Sequence, residues 1–467
     1  MSIARLGSNR GIDWILLTVY AALVVIGWFM LYAVSYDPSD PYSYLDLNSS
    51  IGRQSIWLIV ALIAFFLSFV VEWKFWNTFA FLIYVISLVL LLLVVVIGTE
   101  IKGAKSWIMI GSFSIQPSEL AKFGTALAVA SYLSLSSISI RSQRNLLTCF
   151  ALFFIPSALI MLQPDAGSAL VFMSFFLVLY RVGLSSTYYI IAGTLLSVII
   201  LSFMYGAMIV LLVSLATAGT FLAYQLERKQ FWMIVSLLMS ILIFVALKFS
   251  YELYLIPLFL VHIGILGFLN WKERNLKILT ITLISLFLAS AFSATASWAF
   301  NNVLKPHHQE RINVWLRPDK CDPRGSLYNL IQSKTAIGSG GFSGKGFLEG
   351  SMTQLKYVPE QATDFIFATI GEEQGFIGVL GVIALYLILL IRITVVGERA
   401  RNDFIKYYAY ALAGILFFHF FINIGMTIGV TPVIGIPLPF LSKGGSSLVV
   451  FSVMLAVLIK MDLARNR

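Results

Sequence analysis

Apolar runs of roughly the length that crosses the hydrocarbon core of a bilayer follow one another along this chain, separated by short polar breaks. They fall at 14–33, 55–71, 78–97, 118–135, 146–162, 167–180, 187–203, 205–224, 231–249, 253–268, 278–300, 364–391, 407–428 and 442–459. The pattern predicts an all-α integral membrane protein, a polytopic helical bundle of about fourteen transmembrane helices. No separate soluble domain fits between the runs. One polar interval, 302–363, is far longer than the other connections and is expected to hold re-entrant or short helices.

Composition agrees with the pattern. The 467 residues are 59% hydrophobic and 12% charged, with a mean hydropathy of +0.90, outside the range of soluble domains. The N-terminal stretch carries Arg5 and Arg10, and the apolar run after it ends in Ser35-Tyr-Asp-Pro38 rather than a small-residue cleavage site. A retained first helix is expected, not a removed signal peptide. The two cysteines, Cys149 and Cys321, exclude a disulfide framework and are too few for a thiolate metal site.

Charge sets the topology. Basic residues gather in the connections around Lys74, Arg141 and Arg144, Arg228 and Lys229, and Lys272 and Arg274, then in 392–406 and 460–467. All of these share one side if every span is real. Lys and Arg collect on the cytoplasmic side, so both termini are expected there and the long loop outside. Merging 187–203 with 205–224 across Tyr205-Gly206 would put Lys229 and Arg274 outside, so charge favours a tight hairpin. The net charge of +10 is therefore a topology signal and no argument for nucleic acid.

Several polar residues stand where the membrane makes them costly. Pro117 suits a helix start, and Glu119 and Lys122, three apart, share one face of that helix. They read either as a pair lining a polar cavity open to the outside or as a snorkelling interfacial ion pair. Asp165, in Gln163-Pro-Asp-Ala-Gly-Ser168, is either available to water and substrate or an N-cap. A third proline- and glycine-rich break at 431–447 lies on the same outer side, so a shared vestibule is expected.

In the long loop, Asp322 sits among Arg311, Arg317, Lys320 and Arg324. A carboxylate can take a proton from an attacking hydroxyl, and arginines can hold a pyrophosphate leaving group. A plain Asp-Pro-Arg-Gly turn fits the same residues. The glycines of 338–346 fail the nucleotide-loop pattern, because Gly346 follows Lys345 where Ser or Thr is required. Close backbone packing in a re-entrant segment is expected instead. Glu360, Asp364, Glu372 and Glu373 follow; a helix N-terminus explains Asp364, while Glu372 and Glu373 lie too deep for that. The four histidines form no metal pattern, and His262 and His419 read as satisfied core residues.

These motifs together resemble the SEDS family of bacterial cell-wall polymerases (shape, elongation, division, sporulation), on its RodA branch. The matching residues are Gly103-Ala104 with Trp107, Gln116-Pro-Ser-Glu-Leu-Ala-Lys122, Gln163-Pro-Asp-Ala-Gly167, Asp322-Pro323, Gln332-Ser333 and Ala336-Ile-Gly-Ser-Gly-Gly341. Gly344-Lys-Gly346, Thr353-Gln354, Pro359-Glu360, Thr363-Asp-Phe-Ile-Phe367, Gly371-Glu-Glu373, Pro437-Leu-Pro-Phe440 and Gly444-Gly-Ser-Ser447 continue the match in family order.

The resemblance implies a peptidoglycan glycosyltransferase acting on lipid II at the outer face of the bacterial inner membrane. It implies Asp322 as the catalytic base, Glu119 and Lys122 as a cavity pair, and Arg311 as a pyrophosphate contact. Asp165, Lys345, Glu360 and Asp364 join the substrate-binding set; with Ser106 where relatives have Arg, one anionic contact is either missing or moved to Lys105. The implied partners are a class B penicillin-binding protein, which is a transpeptidase, and the elongation machinery. Whether a divalent cation, Mg or Mn, assists the pyrophosphate is left open.

Departures are Ser106, Ala362 where a His is common, and Lys443 where a Tyr is common. Length is the largest: about ten helices are usual in the family. The chain is therefore divided into core helices 1–203, inserted helices 204–277 forming a peripheral packing or partner surface, and core helices 278–467 with the catalytic loop 302–363. A lipid II flippase and a non-catalytic scaffold for a transpeptidase are the competing readings.

Overall fold

The computed structural model describes residues 11–464 apart from 37–45, 47–48, 102, 112, 228, 250–251, 275, 305 and 326; for 110, 113, 242–249, 252–255 and 307 it describes the backbone alone. These residues form two compact units, Met1–Leu184 with Asp322–Arg467, and Ser185–Cys321.

The first unit opens with helices α1 Trp14–Ser35, α2 Ser50–Val70, α3 Trp73–Thr78 and α4 Ala80–Ile97. Strands β1 Thr99–Ile101, β2 Ala104–Ile110 and β3 Phe113–Ile115 come next, then α5 Pro117–Leu133, α6 Gln143–Met161, α7 Ala166–Val171 and α8 Phe175–Val182. The second unit holds α9 Ser186–Tyr205, α10 Ala207–Tyr224, α11 Lys229–Phe249, α12 Glu252–Lys272, α13 Leu276–Asn302 and α14 Pro306–Leu316. The first unit resumes with α15 Tyr328–Ser339, α16 Ser351–Gln354, α17 Ile366–Arg399, α18 Asp403–Ile428 and α19 Gly445–Leu463.

A helix stands at each apolar run predicted from sequence. Among the described residues, ten helices are long and apolar enough to cross a membrane: α1, α2, α4, α6, α9, α10, α13, α17, α18 and α19. The protein is a multi-pass membrane protein. Large apolar side chains on α2, α4, α9 and α13 point outward, exposed, as expected where lipid replaces water as the neighbour.

The core of the first unit is α5, where almost every residue is buried. Small residues make that possible. Ala126, Ala128 and Ala130 are fully covered, and a Cβ on Gly124 would lie 3.1 Å from the Tyr84 backbone on α4. With little side chain between them, helix backbones approach closely, which is how helices associate in lipid.

Two expectations need correction. The chain is not purely α-helical, because residues 99–115 form a three-stranded antiparallel sheet in the order β1-β2-β3. Gly103 (φ +81°) and Gly111 (φ +62°) supply the left-handed turn positions, and Ile110 pairs with Phe113 across a two-residue loop. Runs of helical length elsewhere hid this hairpin, whose strands are only three to seven residues long. The expected continuous spans at 167–180 and 364–391 are also interrupted. A 3₁₀ turn, Phe172–Ser174, divides the first, and Gly375 (φ +64°, ψ −161°) breaks α17.

At the other end of the unit, Asp13 caps α1, its Oδ1 accepting from Leu16 N at 3.1 Å. Arg392 and Arg399 at the end of α17 both reach Asp13, and Arg399 also pairs with Asp462 of α19. Burial pushes the Asp13 carboxyl up. Its hydrogen bonds to Arg392 and Leu16 N, with both guanidinium charges, outweigh that and hold it below the usual 3.8.

Candidate functional site

The sequence candidates separate into four places. The first is buried in α5. Lys122 Nζ donates to Glu119 Oε1 at 2.8 Å, and the two side chains are 1% and 2% exposed. The pair is thus made, but it is sealed within the protein, neither snorkelling at an interface nor facing open water. Lys122 Nζ also lies 3.0 Å from His419 Nε2 and 5.3 Å from the Phe451 ring centroid. Glu119 Oε2 has no hydrogen-bond partner among the described residues. A buried carboxylate oxygen left bare is costly, and it gives the pair capacity for one more donor.

The second place joins the start of α5 to the break before α7. Asp165 caps α7, accepting from Ser168 N at 3.0 Å through Oδ1. Its Oδ2 accepts from Ser168 Oγ at 2.8 Å and from Gln116 Nε2 at 3.0 Å. Asp165 is thus the N-cap that one sequence reading expected, and the same carboxylate ties two of the polar breaks together. Lys105 approaches the same region. Its backbone N donates to the Gln163 carbonyl at 3.2 Å, while its Nζ reaches the last turn of α4 at Val96 O, 3.0 Å away.

The third place is the break in α17. The peptide groups freed at Gly375 are taken up by the glycine loop: Lys345 N donates to Glu372 O and Gly346 N to Glu373 O, each at 3.0 Å. In return Phe376 N donates to Gly341 O at 3.0 Å and Ile377 N to Phe342 O at 3.2 Å. Only glycine fits, since a Cβ on Gly340 would lie 1.9 Å from Gly371 O and one on Gly344 would lie 2.1 Å from Glu373 O. Lys345 Nζ pairs with Glu372 Oε1 at 2.7 Å. The Glu372 carboxylate also accepts from Met352 N, Thr353 N and Thr353 Oγ1 at 2.8 to 2.9 Å, so it caps α16. Its depth in the chain has a structural cause. An apolar groove of about 430 Å³ runs beside the break, lined by Phe29, Met30, Phe347, Gln374 and Gly378.

The fourth place is a polar pocket of about 430 Å³ where Ser35, Ser49, Ser50, Lys356, Glu360, Thr363 and Lys443 converge. Glu360 Oε2 accepts from Thr363 Oγ1 at 3.2 Å, and Lys443 N donates to Ala362 O at 2.8 Å. The two departures Ala362 and Lys443 thus fall together. Asp364 is not the cap of α17, whose cap is Phe365 without a side-chain bond. Its carbonyl instead accepts from Asn423 Nδ2 at 3.0 Å.

Asp322 stands apart from these. Its carboxylate is exposed at the head of α15 and accepts from Arg324 N at 3.0 Å, an Asx-turn. Arg311 lies on α14 of the second unit, where Arg317 Nε donates to Met204 O at 2.8 Å. Among the described residues no three His, Cys, Asp or Glu side chains gather as cation ligands.

Sequence reasoning missed Gln116, His419 and Asn423 as members of these clusters. The only available signal was polarity inside an apolar helix: His419 and Asn423, four apart, share one face of α18.

The chain is 30% identical over 446 residues to peptidoglycan glycosyltransferase RodA of Treponema pallidum, covering 95% of this chain and 96% of that one. It is 30% identical over 368 residues to peptidoglycan glycosyltransferase MrdB of Escherichia coli, covering 79% and 73%. A chain of a solved peptidoglycan synthase complex that coordinates polymerization and crosslinking superposes with a TM-score of 0.65 at 25% identity, covering 98% and 99%. The model of cell cycle proteins of the FtsW/RodA/SpoVE type matches residues 13–228 and 227–467, and the chain belongs to that family.

Proposed function

We propose that this protein is a peptidoglycan glycosyltransferase of the RodA branch, polymerising lipid II at the outer face of the inner membrane during cell elongation. The observation that carries this is 30% identity along 95% of the chain to a peptidoglycan glycosyltransferase. In this reading fourteen crossings leave both termini cytoplasmic and 302–363 outside. Asp322, exposed at the head of α15, takes the proton from the acceptor's GlcNAc 4-hydroxyl. That oxygen attacks the donor's anomeric carbon, and undecaprenyl pyrophosphate leaves with inversion. Arg311 meets the pyrophosphate, and the groove beside Phe29 and Gln374 suits a hydrocarbon chain of such a lipid. Glu119, Lys122, Lys105, Asp165, Lys345, Glu360 and Asp364 complete the proposed substrate-binding set.

The likeness to a synthase complex chain supports a class B penicillin-binding protein as partner. Helices 204–277 are read as an insertion in the family core that offers a packing or partner surface. Purified protein given labelled lipid II should make glycan strands, and Asp322→Ala should abolish them. A flippase predicts no polymer from wild-type protein, and a scaffold predicts that Asp322→Ala changes nothing in a complex that polymerises.

A further inference from the structure

The buried pair has a third member. His419 is 1% exposed, on α18, and both of its ring nitrogens are engaged. Nδ1 lies 2.9 Å from the Pro437 carbonyl oxygen. A carbonyl only accepts, so Nδ1 bears the proton. Nε2 of that tautomer is a lone-pair acceptor, and Lys122 Nζ donates to it at 3.0 Å. An imidazolium would instead turn an N–H toward the ammonium with nothing to receive it. Phe451 closes the remaining side, 5.3 Å from the Lys122 ammonium and edge-on to the imidazole at 5.3 Å.

The 432–443 loop does not depend on His419 alone. Asn423, one turn along the same face, donates to Ile436 O at 2.7 Å, and Tyr386 donates to Pro439 O. The contact that nothing else duplicates is the one to Lys122. A lysine has four rotatable bonds and a compact charge, so with Glu119 as its only polar partner the ammonium has many positions. The geometry points to His419 as a positioning residue for glycosyl transfer: its Nε2 fixes the Lys122 ammonium, and through it Glu119, whose Oε2 is left for one further donor. This rests on the activity proposed above.

Two conservative variants divide the imidazole's contacts. In His419→Gln the amide reaches the position of Nε2 and can accept from Lys122. In His419→Asn it reaches only the position of Nδ1 and can donate to Pro437 O. Full-length protein is assayed with labelled lipid II for kcat and KM, and each variant is melted in detergent. The expected result is a Gln variant within threefold of wild-type kcat and an Asn variant at least tenfold lower, with KM within threefold for both. Asn as active as Gln, or a Gln variant that melts like wild type and is inactive, overturns the assignment. So does a collapse in melting temperature confined to Gln, which would make the histidine a loop anchor, or one confined to Asn, which would make its Lys122 contact structural rather than positioning. Wild-type protein that forms no glycan overturns the activity itself instead.

Discussion

At the scale of single residues, the strongest constraint is the ion pair sealed inside α5. Lys122→Met should destabilise the protein by about 3–5 kcal/mol, because it leaves the Glu119 carboxylate buried and uncompensated. Adding Glu119→Gln should recover most of that loss, and melting the two variants in detergent checks it. An unchanged melting temperature for Lys122→Met would mean that water reaches the pair. The spacing of Glu119 and Lys122 made their pairing legible in the sequence, since side chains three apart on a helix share a face. Their depth was not legible, because it depends on α18 and α19, whose residues lie some 300 positions away. His419 is the satisfied core residue that its sequence context suggests, but its partners were not legible for the same reason. A lone histidine in an apolar helix gives no hint of which distant group its second nitrogen meets.

Among elements, α17 shows how a broken membrane helix stays satisfied. Its freed peptide groups would be costly in an apolar surround, and the loop 340–346 supplies the missing donors and acceptors by backbone alone. The glycines were readable as close packing, but their partner was not, because the break at Gly375 sits in a run apolar enough to look continuous. Gly340→Ala should loosen the loop by forcing a backbone shift against Gly371 O. Gly338→Ala, whose Cβ would meet nothing within 4 Å, should be neutral or gain up to about 1 kcal/mol from helix propensity. Limited proteolysis at 340–350 and melting temperature compare the two, and equal behaviour would refute the splint. At the opposite end, Asp13 ties α1 to α17 while charged. Because its folded carboxyl titrates below 3.8, that contribution is complete above the unfolded value and fades as pH falls through the folded one. The melting-temperature difference between wild type and Asp13→Asn should therefore be level above about pH 5 and shrink below 3.8.

For the whole molecule, the functional reading requires that Asp322 face the compartment where lipid-linked sugars are joined. Sidedness follows from parity: an odd number of crossings before residue 302 puts the loop outside if the N-terminus is inside. The vulnerable step is between α9 and α10, whose run of apolar residues is broken only at Gly206 (φ +87°). One long helix there would invert everything after it. The chain carries its own reporter. Cys321 immediately precedes Asp322 and is partly exposed, whereas Cys149 is fully buried in α6. A membrane-impermeant maleimide should label the wild-type protein on cells whose outer barrier has been opened but whose inner membrane is intact. Cys321→Ala should abolish that label, while Cys149→Ala should leave it unchanged. Label that appears only after the inner membrane is permeabilised would place Asp322 in the cytoplasm, and an outward glycosyl transfer could not then use it as base.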